Sequence, residues 1–200
     1  MDKIYKCIGA SNHTDKEREK NDFYATDPIS IDKLLTVESP SNKIWECAAG
    51  DGHLAQRLKE RGFDVFSSDI IERNYKLDMT ADFLTMSALG LGSNEQPAYD
   101  ILTNPPYKYA KEFVLKALDI LSDGRKVYMF LKLTFLEGKA RFKEVFSKYP
   151  PEKIYVFSER VLCAKNAEFT KMREGGGSAV AYAWFVWKKG YTGDTLVKWI

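Results

Sequence analysis

The stretch 43–69 constrains the fold more than any other part of the chain. A short apolar run at 43–47 leads into the glycine-rich loop 48–52, and helical spacing of apolar residues begins at about His53. A second apolar run at 64–69 follows the helix and ends in a carboxylate. A strand, a helix and a strand within roughly 30 residues form a βαβ unit, whose two strands lie parallel in one sheet. We therefore expect an α/β fold built on a largely parallel sheet.

The loop of this unit is typical of a nucleotide-binding turn. Small residues at Ala48, Gly50 and Gly52 let a ligand approach the backbone, where N–H groups at the helix start can donate to it. Position 55 is alanine, so the fingerprint Gly-x-Gly-x-x-Gly is incomplete, and a plain strand-to-helix turn has the same pattern. Asp69 ends the second strand, where a carboxylate receives ribose hydroxyls. The loop and Asp69 together favour an adenosine-type cofactor.

Another strand, at 99–102, runs into Asn104-Pro105-Pro106-Tyr107. Neither proline can donate to a sheet ladder, so the strand stops in a stiff corner at its carboxyl end, where open α/β sheets bind ligands. There the Asn104 side-chain oxygen and the Pro105 carbonyl can accept both hydrogens of an exocyclic amino group, while Tyr107 stacks on its ring. An isolated Asn-Pro-Pro also occurs as an ordinary rigid turn.

The rest of the chain continues the alternation of helices and strands. The further predicted elements are helices from Pro28, at 110–121 and at 138–149, and strands at 126–131, 153–157 and 179–187. The last two strands are expected to lie side by side and to close the sheet. We expect one domain over residues 21–200, with a polar lead-in at 1–20 and a basic loop at 158–178.

Composition narrows the functional class. Two hundred residues with 44% hydrophobic content suit one globular domain. Three widely spaced cysteines and two histidines predict neither a disulfide framework nor a metal site, and they favour the reducing cytoplasm. The sequence has no signal peptide and no apolar run of about 18 residues, so no membrane association is expected.

The charge is distributed unevenly along the chain. Residues 125–200 carry 15 Lys and Arg against 7 Asp and Glu, whereas residues 1–124 are net acidic. A basic half is compatible with a polyanionic partner, and a solvated basic surface explains it equally well.

The two motifs together resemble a known family. The segment 46–52, Glu-Cys-Ala-Ala-Gly-Asp-Gly, followed by Asn104-Pro105-Pro106-Tyr107 is similar to the S-adenosylmethionine (SAM)-dependent amino methyltransferases, in particular the N6-adenine DNA methyltransferases of phages and prophages. The stretch 22–28 resembles their N-terminal cofactor motif. The resemblance covers about residues 20–190. It implies a Rossmann-like SAM methyltransferase fold with a seven-stranded, mostly parallel sheet whose last pair is antiparallel.

The resemblance also implies roles for individual residues. Asn104, Pro105, Pro106 and Tyr107 form the catalytic corner. The residues implied to hold SAM are Phe23, Tyr24, Thr26, Glu46, Ala48, Gly50, Gly52, Asp69, Asp82 and Phe83. The Asp82 carboxylate is equally compatible with a surface position. The family's Thr-Pro pair is split here as Thr26-Asp27-Pro28, which leaves the role of Thr26 open.

The implied reaction is methyl transfer to N6 of adenine in DNA. We expect no separate target-recognition domain such as many relatives carry, so recognition is left to the loop 158–178, to residues 1–20, or to a partner or second copy. The candidate nucleic-acid contacts are Arg160, Lys165, Asn166, Lys171 and Arg173. Open alternatives are a methyltransferase acting on RNA bases or protein glutamine, and a non-catalytic SAM-fold subunit that binds nucleic acid.

Overall fold

The computed structural model describes residues 25–86, 99–164, 169 and 180–200. Within them the chain forms an eight-stranded sheet and a separate two-stranded sheet. The strands are β1 Ala25–Thr26, β2 Lys43–Glu46, β3 Asp64–Asp69, β4 Met79–Thr80, β5 Asp100–Thr103, β6 Lys126–Lys132, β7 Lys153–Val156, β8 Cys163–Ala164, β9 Tyr182–Lys188 and β10 Leu196–Trp199. The helices are α1 Ile29–Leu35, α2 His53–Glu60, α3 Ala110–Ile120 and α4 Lys139–Arg141.

The predicted βαβ unit is confirmed. β2 and β3 pair in parallel, with Ile44 opposite Val65, and α2 connects them. Gly62 follows α2 with a φ of 89°, a left-handed conformation that commonly ends a helix. β5 pairs in parallel with the other edge of β2, and β6 pairs in parallel with β5. The carboxyl ends of these four strands therefore lie at the same end of the sheet.

The expectation of seven strands with an antiparallel last pair is wrong in detail. The described residues give eight strands in the order β10-β7-β9-β6-β5-β2-β3-β4. β7 and β9 are antiparallel neighbours, as expected, but β9 is also antiparallel to β6, and β10 pairs in parallel with β7. All four residues of β10 are exposed and β4 has only two residues. Neither strand therefore has the buried apolar pattern that marks a strand in a sequence.

Side chains of the central strands alternate between two cores, one on each face of the sheet. In β6, Val127 and Met129 pack with α3, whereas Tyr128 and Phe130 pack with α1 and α2. Because helices cover both faces, the strands are apolar almost throughout. The loops at the carboxyl ends of the strands are left as the place where a ligand can reach the sheet.

The helix predicted at 138–149 is confirmed only in part. α4 continues as a π-helical turn at Phe142–Phe146, in which Ser147 N–H donates to the Phe142 carbonyl at 2.9 Å. This wider turn buries Val145 completely and leaves Phe142 66% exposed. Packing of Val145 therefore outweighs regular α-helical spacing here. None of the helices in the described ranges has the length and apolar character needed to cross a membrane.

The small sheet brings two distant segments together. β1 and β8 are antiparallel, with Thr26 opposite Cys163, and Asp27 N–H donates to the Leu162 carbonyl at 3.0 Å. The Asp27 carboxylate also accepts the N–H of Ile29 at 3.2 Å, and α1 begins at Ile29 with Pro28 as its N-cap, one residue later than predicted. The strand before α1 is thus tied to the strand that follows β7.

Candidate active site

A cavity of about 1080 Å³ lies at the carboxyl ends of β2, β3, β5 and β6. Each strand contributes its last residue or the one after it to the wall: Glu46, Asp69, Asn104 and Lys132. The volume is slightly above the usual range of small-molecule sites, about 300–1000 Å³. It leaves room for a nucleoside-sized ligand together with part of a second reactant.

The glycine loop lies behind one wall of this cavity. The Asp69 carboxylate accepts the N–H of Gly50 at 2.9 Å, a bond that ties the loop to the end of β3. Gly50 and Gly52 have φ values of 57° and 77°, and a Cβ on Gly52 would lie 2.2 Å from the Tyr75 ring. Both glycines therefore shape the loop. Neither is among the residues that line the cavity, whereas their neighbour Ala48 is.

Glu46 and Asp69 place two carboxylates in the same wall. Glu46 is 2% exposed, and its Oε2 has no hydrogen-bond partner among the described residues. Burial raises the pKa of Glu46 well above its usual range, the charge of Asp69 raises it further, and the Ala55 N–H and the Lys59 charge offset only a part. Asp69 is better balanced, since Arg73 contacts it at 3.3 Å. A buried carboxylate in this situation suits a ligand that brings positive charge or N–H donors.

Asn104 lies just beyond the end of β5, and its side chain is held by contacts with residues of the small β1–β8 sheet. Its Nδ2 donates to Thr26 Oγ1 at 2.7 Å and lies 3.5 Å from Cys163 Sγ. Thr26 and Cys163 face each other in the β1–β8 pair, so one strand pairing positions both contacts. Both contacts engage the amide nitrogen. They determine which way round the amide lies, with its nitrogen toward the small sheet and its oxygen on the other side.

Tyr107 forms an aromatic wall next to Asn104. Its ring stacks on Tyr182 with centroids 6.0 Å apart, and Lys132 Nζ lies 4.5 Å from its centroid. Its hydroxyl donates to Cys163 Sγ at 3.3 Å. Burial raises the pKa of Tyr107 well above its usual range, so the phenol is neutral. Tyr182 and Lys132 thus already contact the ring on which the sequence predicts that a substrate base stacks.

Asp82 and Phe83 both line the cavity, but in different ways. Asp82 is partly buried and its carboxylate accepts the N–H of Leu84 at 3.0 Å. Phe83 is 2% exposed and packs edge-on against Trp45, with centroids 5.2 Å apart. Phe83 is therefore a core residue with one edge toward the cavity.

The structure brings most of the predicted site residues to one cavity. Those that line it are Thr26, Glu46, Ala48, Asp69, Asp82, Phe83, Asn104, Pro105, Pro106 and Tyr107. Arg160 is exposed and is not among the lining residues. The other predicted contacts lie outside the described residues: Phe23, Tyr24, Lys165, Asn166, Lys171 and Arg173.

Several polar and aromatic residues that line the cavity were not predicted from the sequence, among them His53, Lys132, Cys163 and Tyr182. Lys132 could have been found, because it ends a strand that is parallel to the Asn104 strand and so reaches the same end of the sheet. Cys163 carries no local signal, since its contacts are with residues far away in the chain. The His53 ring meets Phe169 edge-on, with centroids 5.9 Å apart.

Comparison with known proteins identifies the fold. No protein-family model matches the chain, and no curated protein matches it. A modification subunit assigned to a type I restriction enzyme of Vibrio vulnificus has a TM-score of 0.60 and 15% identity, over 89% of this chain and 47% of its own. A protein from Lactococcus lactis assigned as a hemolysin has a TM-score of 0.59 and 10% identity, over 85% of this chain and 91% of its own. A protein from Listeria monocytogenes assigned to the class I SAM-dependent methyltransferases has a TM-score of 0.53 and 11% identity, over 86% of this chain and 62% of its own.

The chain shares its fold with the Listeria monocytogenes protein assigned to the class I SAM-dependent methyltransferases. On this fold the cavity has two chemically different ends. One end carries the buried carboxylate of Glu46 together with Asp69, and the other carries the Asn104 amide and the Tyr107 ring. The first end attracts positive charge, and the second presents an oriented amide beside an aromatic surface.

Proposed function

We propose that this protein transfers a methyl group from SAM to an exocyclic amino group, namely N6 of adenine in DNA. One observation carries the proposal. The Asn104 amide, oriented by Thr26 at 2.7 Å, shares a cavity with the Glu46 carboxylate, whose Oε2 has no partner among the described residues. The oriented amide suits an amine that accepts a methyl group, and the carboxylate suits a positively charged donor.

SAM fits the carboxylate end of the cavity. It carries a sulfonium and an ammonium group, and positive charge beside Glu46 lowers the pKa of that carboxyl group and offsets the free energy of burying it. Its ribose hydroxyls can donate to Asp69, which lines the same wall. A nicotinamide dinucleotide is disfavoured because the glycine fingerprint is incomplete, with alanine at position 55, and because it would leave the Asn-Pro-Pro corner without a role.

The chain contributes binding, orientation and the exclusion of water. SAM would supply the methyl group: the amine nitrogen would form the new N–C bond, the electron pair of the C–S bond would stay on sulfur as the neutral thioether, and the nitrogen would release one proton to water. Asn104 and the Pro105 carbonyl accept the two amine hydrogens, which raises the electron density on the nitrogen. The two prolines keep the corner rigid, so that the acceptor is in place before the substrate arrives.

Two observations support DNA as the substrate. One protein of similar fold is a modification subunit assigned to a type I restriction enzyme. Lys108 and Lys132 line the cavity, where they suit a phosphate backbone. A shared fold does not determine the substrate, and RNA bases or a protein glutamine present similar N–H groups.

The test offers methyl-labelled SAM to unmethylated duplex DNA, single-stranded DNA, RNA and a protein extract in parallel, and identifies the product by mass spectrometry. We expect N6-methyladenine in DNA. Label only in RNA or protein would contradict the assigned substrate and retain the chemistry. SAM binding without any label would favour the non-catalytic subunit.

Asn104→Ala tests the role of the corner. We expect this variant to bind SAM normally and to lose turnover by about 100- to 1000-fold, the usual effect of removing one preorganised polar group from a reaction site. Asn42→Ala, which alters an exposed asparagine just before β2, is the matched control. A wild-type rate for Asn104→Ala would contradict the assignment.

A further inference from the structure

Lys108, Tyr109 and Lys132, here called the rim residues, line the cavity but neither hold SAM nor accept the amine hydrogens in the proposed reaction. Tyr109 ends the 3-10 turn that follows the Asn-Pro-Pro corner and is 43% exposed. Lys108 Nζ lies 5.0 Å from the Tyr109 ring centroid, as Lys132 Nζ lies 4.5 Å from that of Tyr107. Two pairs of a lysine and a tyrosine therefore follow one another from the cavity wall to the surface.

The inner pair constrains how a substrate enters. Tyr182 and Lys132 both contact the Tyr107 ring, so a planar group that stacks on the face beneath the Lys132 ammonium group has to displace that group. Tyr182 is 7% exposed and stacks on Phe130, with centroids 5.0 Å apart and ring planes 20° from parallel. Lys132 ends a strand and has a flexible four-carbon side chain. Lys132 is therefore the residue that moves.

The chemistry of the displaced group selects the substrate class. An ammonium group that leaves an aromatic face loses a cation–π contact, and a negatively charged group can replace that contact. A nucleotide supplies both halves of the exchange, since its base takes the ring and its phosphate takes the ammonium. A glutamine side chain supplies neither a ring nor a negative charge. The Lys132–Tyr107 pair thus favours a nucleotide over a protein amide.

We propose that the rim residues bind a polynucleotide strand. Tyr109 stacks on a base next to the target, Lys108 contacts a backbone phosphate, and Lys132 moves from the Tyr107 ring to the phosphate of the target nucleotide. An exposed aromatic ring flanked by lysines is the arrangement that binds single strands and extruded bases. The nature of the target rests on the proposed function, whereas strand binding is measured without any methyl transfer.

The chain contains a matched control for the outer pair. Lys148-Tyr149 is the same dipeptide, and Tyr149 is 45% exposed, close to the 43% of Tyr109. Neither Lys148 nor Tyr149 is among the residues that line the cavity. Variants of Lys148 and Tyr149 therefore measure the general effect of losing a surface lysine or tyrosine, apart from any effect on the cavity.

The experiment titrates the full chain, with S-adenosylhomocysteine present, into fluorescein-labelled 12-nucleotide DNA and RNA of one sequence containing a single adenine. Tyr109→Ala is expected to raise Kd about tenfold, while Tyr109→Phe and Tyr149→Ala leave it unchanged. Lys108→Gln and Lys132→Gln are each expected to reduce the slope of log Kd against log salt by about 0.7, and Lys148→Gln leaves the slope unchanged. The DNA and RNA arms identify which polynucleotide binds.

A second measurement compares methyl transfer to adenosine, which has no phosphate, with transfer to the oligonucleotide. Lys132→Gln is expected to raise kcat/KM for adenosine and to lower it for the oligonucleotide, because the variant opens the Tyr107 ring and loses the phosphate contact. Equal effects on oligonucleotide binding from the Lys108-Tyr109 and Lys148-Tyr149 variants would overturn the proposal. A change of kcat/KM in the same direction for adenosine and the oligonucleotide in Lys132→Gln would also overturn it.

The two proposals fail separately. Oligonucleotide binding that depends on the rim residues, with no methyl transfer to any acceptor, would contradict the proposed function and support this inference. Methyl transfer to the protein extract with no oligonucleotide binding would contradict this inference and retain the methyl-transfer chemistry of the proposed function.

Discussion

Two buried glutamates at opposite ends of the large sheet have opposite environments. Glu38 is 5% exposed and lies at the amino ends of β6 and β7, and Glu46 is 2% exposed and ends β2. The partners of the Glu38 carboxylate are Lys126 at 2.8 Å, Lys153 at 2.6 Å, Tyr155 at 2.6 Å and Tyr128 at 3.3 Å. The Oε2 atom of Glu46 has no partner among the described residues.

The pKa values express this difference. Burial alone would raise the pKa of both groups, but the hydrogen bonds from Lys126, Lys153 and Tyr155 bring that of Glu38 down to about 2. The pKa of Glu46 stays well above its usual range, because its burial is not offset by comparable hydrogen bonds and Asp69 adds a second negative charge. The buried carboxylate is fully hydrogen-bonded at the amino end of the sheet, whereas at the carboxyl end a buried carboxylate oxygen has no partner among the described residues. Such an oxygen is expected where a site is reserved for a ligand.

The largest predicted effect is at the amino end. Glu38→Gln removes the negative partner of two lysines inside the protein, and we expect the free energy of unfolding to fall by about 3 kcal/mol. Urea denaturation measures the change, with Glu137→Gln at an exposed position as the control. Similar stabilities for the two variants would contradict the assigned role of Glu38.

The same variant has a pH signature. The pKa of Glu38 is lower in the folded protein than in the unfolded chain, about 2 against 4.5, so its stabilisation is present above pH 4.5 and is lost as the pH falls toward 2. The difference in unfolding free energy between wild type and Glu38→Gln should therefore shrink over that interval. A constant difference would mean that the loss arises from packing.

Thr26 gives the next largest effect, on activity. Thr26→Val leaves the Asn104 Nδ2 without its 2.7 Å partner, and we expect kcat to fall about tenfold to a hundredfold while the Kd for SAM is unchanged. Thr26→Ser restores the hydroxyl and should restore the rate. A loss of SAM affinity with kcat retained would instead make Thr26 a cofactor contact, as its sequence motif implies.

The smallest predicted effect is a gain in stability at the carboxyl end. Glu46→Gln removes a buried carboxyl group whose pKa is raised on folding, and we expect the free energy of unfolding to rise by about 1 kcal/mol at neutral pH. The raised pKa means that the wild type loses stability as the pH rises above the ordinary range of a glutamate. The gain should therefore grow with pH, and denaturation at several pH values measures it.

The parts of the fold that the sequence predicts are those with local signals. The βαβ unit and the Asn-Pro-Pro corner are each written in consecutive residues, so the positions of Glu46, Asp69 and Asn104 at one end of the sheet could be derived. β10 escapes prediction because its residues are exposed and carry no burial pattern. The π-helical turn follows from the packing of Val145, which only the assembled core decides.

The contacts that adjust the site could not be derived from local patterns. Cys163 reaches Asn104 only because β8 pairs with β1, and the four partners of Glu38 converge from two strands. The sequence shows a lysine at position 132 but not that its ammonium group covers the Tyr107 ring. Long-range pairing decides these contacts, and a single sequence carries no record of it.

The most direct test of the account measures the melting temperature of wild type, Glu38→Gln and Glu46→Gln with and without SAM. At a hundredfold excess over Kd, SAM should raise the melting temperature of wild type by about 5 °C or more. We expect the same shift in Glu38→Gln, which is the least stable of the three. We expect no shift in Glu46→Gln, although it is the most stable without ligand. A full SAM-induced shift in Glu46→Gln would contradict the claim that this carboxylate lacks a partner because the cofactor provides it.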